Sequence, residues 1–201
     1  MPDPLRARFR EAREAELMAT PAPRPESWLI PVIALACAAS AFAQEPQTAR
    51  DQTGRVVEVS LARTWATDAD VERVAAMPGV RRLDLSLTYV SDRGVERLKG
   101  LDELEELNLS SAEFITDAAI AFLRGHRRLK SLNLRGTDVT DTSLAYLAEL
   151  PQLKSLDIAF TQITDVGLEH LASLAELEEL NLGGNKISGA GLHVLKLMPK
   201  L

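Results

Sequence analysis

The chain has 201 residues, 46% of them hydrophobic, and a formal net charge of -6. This length provides for one domain with a continuous core and not for two large ones. Residues 1 to 43 hold five basic and five acidic groups, so the rest of the chain keeps the whole negative charge. That charge argues against nucleic acid or an anionic membrane as a partner.

Cysteine and histidine offer little material for a metal site or for catalysis. The one cysteine, Cys37, lies in an apolar N-terminal stretch, so the remaining chain has no thiol for a disulfide, a zinc site or a nucleophile. Three histidines are scattered along the chain, and no HExxH, GxSxG or GxxxxGK(S/T) string occurs. The sequence predicts neither a cofactor nor a catalytic centre.

An apolar run near the N-terminus predicts export. It extends from Trp28 to Ala43 and ends in Ala41-Phe42-Ala43, the small-x-small form that signal peptidases cleave. About 12 to 16 apolar residues, interrupted by Pro31, are fewer than the roughly 20 that a membrane-spanning helix needs. We expect a signal peptide over residues 1 to 43 and a periplasmic or secreted protein, with a signal anchor as the weaker alternative.

The first 17 residues are unusually long and acidic for part of a signal peptide. Translation from Met18 would give a leader with one basic residue, Arg24, and cleavage after Ala43, so residues 1 to 17 are interpreted as a start-site artefact. Acylation of Cys37, as in lipoproteins, is a further alternative, although the large apolar residue that is usual three places upstream is missing. Residues 44 to 54, rich in Gln, Thr and Pro, predict a mobile linker.

From residue 55 onward the sequence repeats itself every 24 or 25 residues. Each repeat has an apolar residue, two variable residues and an apolar-x-apolar triplet, which together predict a short strand. The triplets are Val59-Ser60-Leu61, Leu83-Asp84-Leu85, Leu107-Asn108-Leu109, Leu132-Asn133-Leu134, Leu156-Asp157-Ile158 and Leu180-Asn181-Leu182. Because one repeat cannot bury its apolar faces alone, we expect the strands to stack as a parallel sheet.

A hydroxyl residue followed by Asp comes after most of the predicted strands, as in Thr140-Asp141. The hydroxyl is typical of a helix N-cap, and the carboxylate complements the positive end of the helix. Apolar residues at helical spacing follow, such as Leu144, Leu147 and Leu150. Each repeat therefore predicts one strand and one short helix.

The consensus LxxLxLxxTxITDxGLxxLxxLPx resembles the leucine-rich repeats of the ribonuclease-inhibitor-like class, especially those of exported bacterial proteins. The repeats of F-box-type proteins are similar. The resemblance implies a right-handed α/β solenoid of about six repeats over residues 55 to 201, with parallel strands on the concave face and helices on the convex face. It also implies a protein-binding or ligand-binding function without catalytic residues, and it names no particular ligand.

Two features depart from the usual pattern. Thr replaces the usual Asn at positions 64, 88, 137 and 161, and a hydroxyl can still bond the turn backbone, with fewer contacts than the amide of Asn185. One extra residue falls between Leu109 and Ile115. We expect it to bulge the turn after that strand.

Side chains that flank the buried leucines are expected to face solvent on the concave side. Asn133, Asp157 and Asn181 belong to a ladder of small polar residues. The simpler explanation of this ladder is that short polar side chains suit a curved, crowded sheet, and the alternative is a dedicated binding site. Phe160 would lie between two glycines with Arg135 one strand away, and such residues anchor interfaces. These five residues are the candidate partner-binding residues, with local packing of Phe160 against its turn as the alternative.

Neither the aromatic residues of the predicted helices nor the carboxylates of the predicted strands indicate a catalytic site. Phe122 and Tyr146 occupy equivalent positions and are expected to pack as an aromatic pair between neighbouring helices. Asp84 and Asp157 would lie three coils, or roughly 14 Å, apart, which is too far for paired catalytic carboxylates. We therefore expect a binding scaffold and not an enzyme.

The sequence stops at Leu201, the equivalent of Leu177, as a further repeat begins and without a polar cap. The last coil would expose parts of Leu182, Ile187, Leu192 and Leu195, so end-to-end self-association or a truncated gene is expected. Three binding functions stay open. They are a protein partner, a presenting role within a larger receptor or adaptor, and a carbohydrate or other small ligand.

Overall fold

Residues 46–201 are the residues that this computed structural model describes. The predicted alternation of one strand and one short helix is confirmed over residues 55 to 201. The predicted signal peptide, the start at Met18 and the acylation of Cys37 concern residues 1 to 43 and lie outside the described residues.

Seven strands of the described region form one sheet, and their order in the sheet is their order in the sequence. They are β1 (Gln47–Arg50), β2 (Val56–Ser60), β3 (Arg82–Asp84), β4 (Glu106–Asn108), β5 (Ser131–Asn133), β6 (Ser155–Asp157) and β7 (Glu179–Asn181). Strands β2 to β7 are parallel, and Leu107 of β4 aligns with Leu83 of β3 and Leu132 of β5. The period of the sequence is therefore the step from one strand to its neighbour.

A short helix follows each strand from β2 onward. The α-helices are α1 (Asp68–Ala75), α2 (Asp92–Arg97), α3 (Asp117–Leu123), α4 (Asp141–Leu147) and α5 (Asp165–Leu168), and 3-10 helices cover Leu98–Gly100, Glu169–Ser173 and Gly191–Leu197. The coil after β7 has only a 3-10 helix; it differs from the others in that Gly189, a poor helix former, replaces the Asp that begins each α-helix. Within residues 46–201 no helix is both long and apolar enough to cross a membrane.

The α-helices begin at the predicted hydroxyl caps. In α2, α3, α4 and α5 the cap side chain accepts a hydrogen bond from the backbone N–H two residues later; these caps are Ser91, Thr116, Thr140 and Thr164. At α1 the carboxylate of Asp70 instead accepts from the backbone N–H of Thr67 at 2.9 Å. Each arrangement satisfies a backbone donor that the helix leaves unpaired.

The core lies between the sheet and the helices. The central leucines of β3 to β6, such as Leu107 and Leu156, are at most 2% exposed, and the helix residues Leu123 and Leu147 that pack behind them are fully buried. Burying one such side chain stabilises the fold by about 1.5 to 3 kcal/mol. Because strand and helix leucines of one coil meet those of the next, stacking supplies the burial that a single coil lacks.

Each strand from β2 onward is followed by a turn with one residue in the left-handed backbone conformation. These residues, with φ between 54° and 75°, are Arg63, Leu87, Ser111, Gly136, Phe160 and Gly184. The backbone N–H groups of the first five donate to the next coil, as from Phe160 to the carbonyl of Gly183 at 2.7 Å. The positions of Arg135 and Phe160 therefore lie in turns and not on the strands from which they were expected to project, because β5 and β6 end at Asn133 and Asp157.

The segment predicted as a mobile linker contains strand β1. Gln47–Arg50 pairs antiparallel with β2, and the carboxylate of Asp51 closes the connecting turn by accepting from the Thr53 hydroxyl at 2.6 Å. The structure differs from the prediction here because a polar composition does not prevent a strand from pairing with an exposed sheet edge. Strand β1 covers the free edge of β2, which would otherwise be open to association.

Candidate partner-binding surface

Phe160 is the most exposed aromatic side chain in the described part of the chain. It follows β6 in the left-handed conformation, with φ of 56°, and its side chain and backbone together are 55% exposed. The ring lies over Gly184 of the next coil, where an added Cβ would come within 2.6 Å of Phe160 Cδ1. Glycine at 184 thus provides the space that the Phe160 ring occupies.

Arg135 covers part of the other side of this ring. Its guanidinium carbon lies 4.4 Å from the centroid of Phe160, which is within the range of a cation-π contact. Arg135 is exposed and forms no ion pair with any described residue. The two residues form a small exposed unit that combines an aromatic ring with guanidinium N–H donors.

The three polar candidates, Asn133, Asp157 and Asn181, support the turns beside this unit. Their side-chain oxygens accept hydrogen bonds from the backbone N–H two residues later, at 3.0 Å for Arg135, 2.9 Å for Ala159 and 3.1 Å for Gly183. The amide of Asn181 also donates to the carboxylate of Asp157 at 3.0 Å. The five candidate residues thus lie on three neighbouring coils, and the polar three also shape the backbone that carries the other two.

Thr and Asn at the turn position behave as predicted. The hydroxyls of Thr88 and Thr137 each donate to the carbonyl three residues earlier, at 2.7 Å. The amide of Asn185 donates to the carbonyls of Leu182 and, across coils, Ile158, at 3.0 and 2.7 Å. A hydroxyl therefore closes its own turn, whereas an amide also ties that turn to the preceding coil.

A shallow depression of about 270 Å³ lies over the concave face of β2 to β5. Its polar lining residues are Glu58, Arg82, Asp84, Glu106, Asn108, Ser131 and Asn133. Arg82 donates to Glu58 at 2.6 Å, and the pKa of Arg82 is raised by this hydrogen bond and by the charges of Glu58, Glu106 and Glu105. Glu106 was not among the residues predicted from the sequence, because the predicted ladder contains the residue between the paired leucines and not the residue before them.

A second ladder of hydrogen bonds links the coils at the start of the helices. The first Asp of each α-helix accepts from both the backbone N–H and the hydroxyl of the next coil's cap residue; the linked pairs are Asp68–Ser91, Asp92–Thr116, Asp117–Thr140, Asp141–Thr164 and Asp165–Ser188. The sequence assigned these carboxylates to the helix dipole alone. These Asp residues recur once in every repeat, directly after the cap residue, and this recurrence is the sequence signal that predicts such a link.

Asp117 differs from the other members of this ladder in that it also accepts a hydrogen bond from the Ser143 hydroxyl. Burial alone would raise its pKa, but hydrogen bonds from Ser143 and Thr140 outweigh that effect, so the pKa of Asp117 lies below its usual value. The hydrogen bonds from Ser188 likewise lower the pKa of Asp165. Each of these links therefore stabilises the ionised carboxylate.

Small residues make room for the ladder. A Cβ added at Gly167 would lie 2.3 Å from the Oδ1 atom of Asp141, and one added at Gly191 would lie 2.3 Å from the Oδ1 atom of Asp165. The equivalent positions in the other coils hold Gly94, Ala119 and Ser143. A glycine therefore follows Thr-Asp in the repeat consensus because a larger side chain there would collide with the carboxylate of the preceding coil.

An aromatic stack runs along the turns of the first three coils. The ring centroids of Trp65 and Tyr89 are 5.4 Å apart, and those of Tyr89 and Phe114 are 6.4 Å apart. Phe114 keeps this register because the extra residue is accommodated before it, at Glu113 between Ala112 and Phe114, and Phe114 bridges to Ser91 of the preceding coil. The sequence predicted a bulge here but not the stack.

The predicted aromatic pair on the helical side differs from the ring contacts in the structure. Phe122 lies under the ammonium of Lys99, 4.6 Å from the ring centroid, and Tyr146 lies under the guanidinium of Arg124 at 5.6 Å. A cation from one coil therefore covers the ring of the next coil. In the coil after β7, Leu192 is 42% and Leu197 64% exposed, whereas Leu182 and Ile187 are partly buried against the core.

Comparison with known proteins agrees with this architecture. A family model described as leucine rich repeat matches residues 127–187, and no protein with a curated function matches the chain. An internalin from Listeria monocytogenes is 26% identical over 69% of this chain, with a TM-score of 0.59. The Arabidopsis receptor kinase HAESA, solved in complex with the peptide hormone IDA and the co-receptor SERK1, is 20% identical over 77% of this chain, with a TM-score of 0.57.

The matched regions cover 38% of the internalin chain and 27% of the HAESA chain, so this chain spans less than half the length of either protein. The matched repeat model falls on β5 to β7 and the helices between them. Together with the parallel sheet and its alternating helices, these likenesses show that the described chain is an α/β leucine-rich-repeat solenoid.

Proposed function

We propose that the chain is a protein-binding scaffold whose contact with its partner centres on Phe160 and Arg135. The observation that carries this proposal is the exposed Phe160 ring, which is held in a left-handed turn and stacked under an unpaired guanidinium. Aromatic and Arg side chains are the residue types that most often dominate binding energy at protein interfaces. No catalytic role is proposed for any residue.

The exposure of Phe160 supports a role in binding over a role in stability. A left-handed backbone costs a residue with a Cβ about 1 to 2 kcal/mol; Gly136 and Gly184 avoid that cost in the adjacent turns, whereas Arg63, Leu87 and Ser111 bear it as Phe160 does. More than half of the Phe160 residue stays in water, so its burial returns little of the cost. Burial of the Phe160 ring against a partner would offset this cost.

Affinity capture from the native extracellular fraction tests the proposal. The protein is compared with its Phe160→Ala, Arg135→Ala double variant and with a control variant, Arg63→Ala, which changes an exposed residue at the same turn position in the first coil. We expect a protein that wild type and the control capture and the double variant loses. Equal recovery by all three contradicts the proposal, and capture of a glycan or metabolite favours a small ligand instead.

We also propose that the protein is exported to the periplasm or secreted. The apolar run from Trp28 to Ala43 and the Ala41-Phe42-Ala43 string support a cleaved signal peptide. N-terminal sequencing of the exported protein is expected to begin at Gln44. A product that keeps residues 18 to 43 would favour the signal anchor, and acylation at Cys37 would favour the lipoprotein.

Self-association through the coil after β7 is a further part of the proposed function. Leu192 and Leu197 are exposed and Leu182 and Ile187 are only partly buried, so this coil leaves apolar area in water, which favours association. Light scattering of the protein at increasing concentration is expected to show a dimer. A monomer at high concentration contradicts this part of the proposal and leaves the Phe160 surface unaffected.

A further inference from the structure

The turn that carries Phe160 is bonded by a side chain of the next coil. The amide group of Asn185 has two donors and two acceptor sites, and each has a partner within 3.1 Å. Its Nδ2 atom donates to the carbonyls of Ile158 and Leu182. Its Oδ1 atom accepts from the backbone N–H of Thr161 and lies 2.9 Å from the Thr161 hydroxyl. Asn185 therefore bonds the turn on both sides of Phe160.

The equivalent residues of the preceding coils do not link a turn to the coil before it. These residues are Thr64, Thr88, Ala112, Thr137 and Thr161. The hydroxyls of Thr64, Thr88 and Thr137 donate to the carbonyl three residues earlier in their own turn, at 2.6 to 2.7 Å, and Ala112 has no polar side-chain atom. Among the described residues at this position, Asn185 alone bonds the turn of the preceding coil, and that turn is the one with the exposed ring.

The two residues before Asn185 complete the support of Phe160. The carbonyl of Gly183 accepts the backbone N–H of Phe160 at 2.7 Å. The ring lies over Gly184, where an added Cβ would come within 2.6 Å of Phe160 Cδ1 and 2.8 Å of Phe160 Cε1. Three consecutive residues of one coil thus contact the backbone, the ring and the flanking residues of Phe160.

This support matters because the ring has little other cover. More than half of the Phe160 residue is exposed, and the Arg135 guanidinium above the ring belongs to a long side chain that is itself exposed. A side chain that is ordered before association loses less conformational freedom when a partner binds. The bonds of Asn185 therefore act on a property that determines affinity without touching the partner.

We propose that Asn185 is a positioning residue, which keeps the Phe160 ring in the direction that the partner protein contacts. This inference rests on the proposed function, since it assigns the residue that orients its central side chain. Asn is the usual residue at this position of the repeat, and its bonds to the turn are a general feature. The presence of an exposed anchor within the bonded turn gives these bonds a role in binding here.

Loss of the amide should leave the turn closed only within its own coil, as at Thr137. The backbone on both sides of Phe160 would then move more freely, and the ring would sample several directions. Ordering one flexible side chain on binding lowers affinity by about twofold to tenfold. We expect a loss of this size for the partner of an Asn185→Thr variant.

Nuclear magnetic resonance of Asn185→Thr tests the positioning without any partner. Four other coils hold Thr at this position, so the variant is expected to keep the fold. The ring-current shifts of the Gly184 protons report the position of the Phe160 ring, and they should fall by about half or more as the ring becomes mobile. The Thr161 amide should exchange with solvent about tenfold faster. Unchanged ring-current shifts overturn the inference.

Thr88→Ala is the matched control for a general loss of stability. It removes a buried turn hydroxyl that donates to Leu85 at 2.7 Å in a distant coil. We expect urea denaturation to show a loss of stability, while the Gly184 shifts and the Thr161 exchange rate stay as in wild type. If Thr88→Ala changes both signals as much as Asn185→Thr does, the loosening is global and the inference is overturned.

A double-mutant cycle connects the positioning to binding. The probe is the protein that wild type captures from the extracellular fraction and that the Phe160→Ala, Arg135→Ala variant loses. Asn185→Thr is expected to lower its recovery in the wild-type background and to have no further effect beside Phe160→Ala, which keeps Arg135 but has no ring to position. An equal further loss beside Phe160→Ala overturns the inference. If no protein is captured, the proposed function fails, whereas the Gly184 shifts still decide whether Asn185 positions the ring.

Discussion

The carboxylate of Asp117 accepts hydrogen bonds from the backbone N–H and the hydroxyl of Thr140 in the next coil, at 2.8 and 2.6 Å. The same carboxylate also accepts from the hydroxyl of Ser143. One acidic side chain therefore joins the helix that it begins to the cap of the following helix. Because five coils repeat the arrangement, it is a major polar contact between neighbouring units.

Removal of this link is expected to destabilise the fold strongly. Asp117→Ala leaves the Thr140 and Ser143 donors without their acceptor and should lower the free energy of unfolding by about 2 to 3 kcal/mol. Urea denaturation followed by circular dichroism measures the change. Asp138→Ala is the matched control, because Asp138 is exposed and its carboxylate has no hydrogen-bond or ion-pair partner among the described residues; a similar loss in both variants contradicts the prediction.

The stability of the solenoid is expected to fall in acid through the same carboxylates. The pKa of Asp117 in the folded protein lies below the usual 3.8, so the unfolded chain takes up its proton first as the pH falls. This contribution to stability is present above about pH 4 and is lost as the pH drops through the folded pKa. The difference in unfolding free energy between wild type and Asp117→Asn should shrink from pH 6 to pH 3, and a constant difference would show that ionisation is irrelevant.

Phe160→Gly is expected to leave stability nearly unchanged. The substitution relieves a left-handed conformation that costs about 1 to 2 kcal/mol, while it adds backbone entropy of about 0.5 to 1 kcal/mol and removes a cation-π contact of similar size. The net change should stay within about 1 kcal/mol in urea denaturation. A larger loss would make the ring a structural anchor of the turn and would weaken the binding proposal.

His126→Leu is expected to stabilise the protein. His126 is 4% exposed, and its Nε2 donates to the carbonyl of Leu98 at 2.9 Å, while its Nδ1 is buried without a hydrogen-bond partner among the described residues. Leu101 and Leu150 occupy the same position in other coils and are buried.

Relief of the unpaired nitrogen should raise the free energy of unfolding by about 1 kcal/mol. The carbonyl of Leu98 keeps its bond from the N–H of Leu101 at 2.8 Å. Thermal and urea denaturation both report the change, and a destabilised variant would show that the Nε2 bond outweighs the unpaired Nδ1.

The periodic part of the sequence predicted most of the fold. Leucines such as Leu107 and Leu132 recur at the period of the strands, and hydroxyls such as Thr140 mark the helix starts, because burial and capping depend on nearby residue types. Strand β1 was not predicted, because Gln47–Arg50 has no apolar alternation and owes its conformation to its neighbour β2. Contacts between coils, such as Lys99 over Phe122, depend on side-chain directions that a repeat alignment does not contain.

The candidate surface was predicted in part. Phe160 and Arg135 were expected to be near each other and are in contact, but their position in turns follows from strands that are only three residues long. Asn133, Asp157 and Asn181 also bond the turn backbone. From the sequence these residues were explained only as small polar side chains that suit a crowded sheet. The partner-binding role of all five residues stays a prediction.

The link between Asp117 and Thr140 has an evolutionary consequence. Each carboxylate bonds the hydroxyl that begins the following helix, so any helix of this kind can follow any other. Deletion of residues 117 to 140 would join Thr116 to Asp141, whose carboxylate already bonds Thr164, and the new junction would again read Thr-Asp. Recombination by whole units can therefore lengthen or shorten this protein without breaking a bond at the seam, whereas a loss that is not a whole number of units would leave a carboxylate without the hydroxyl that it bonds.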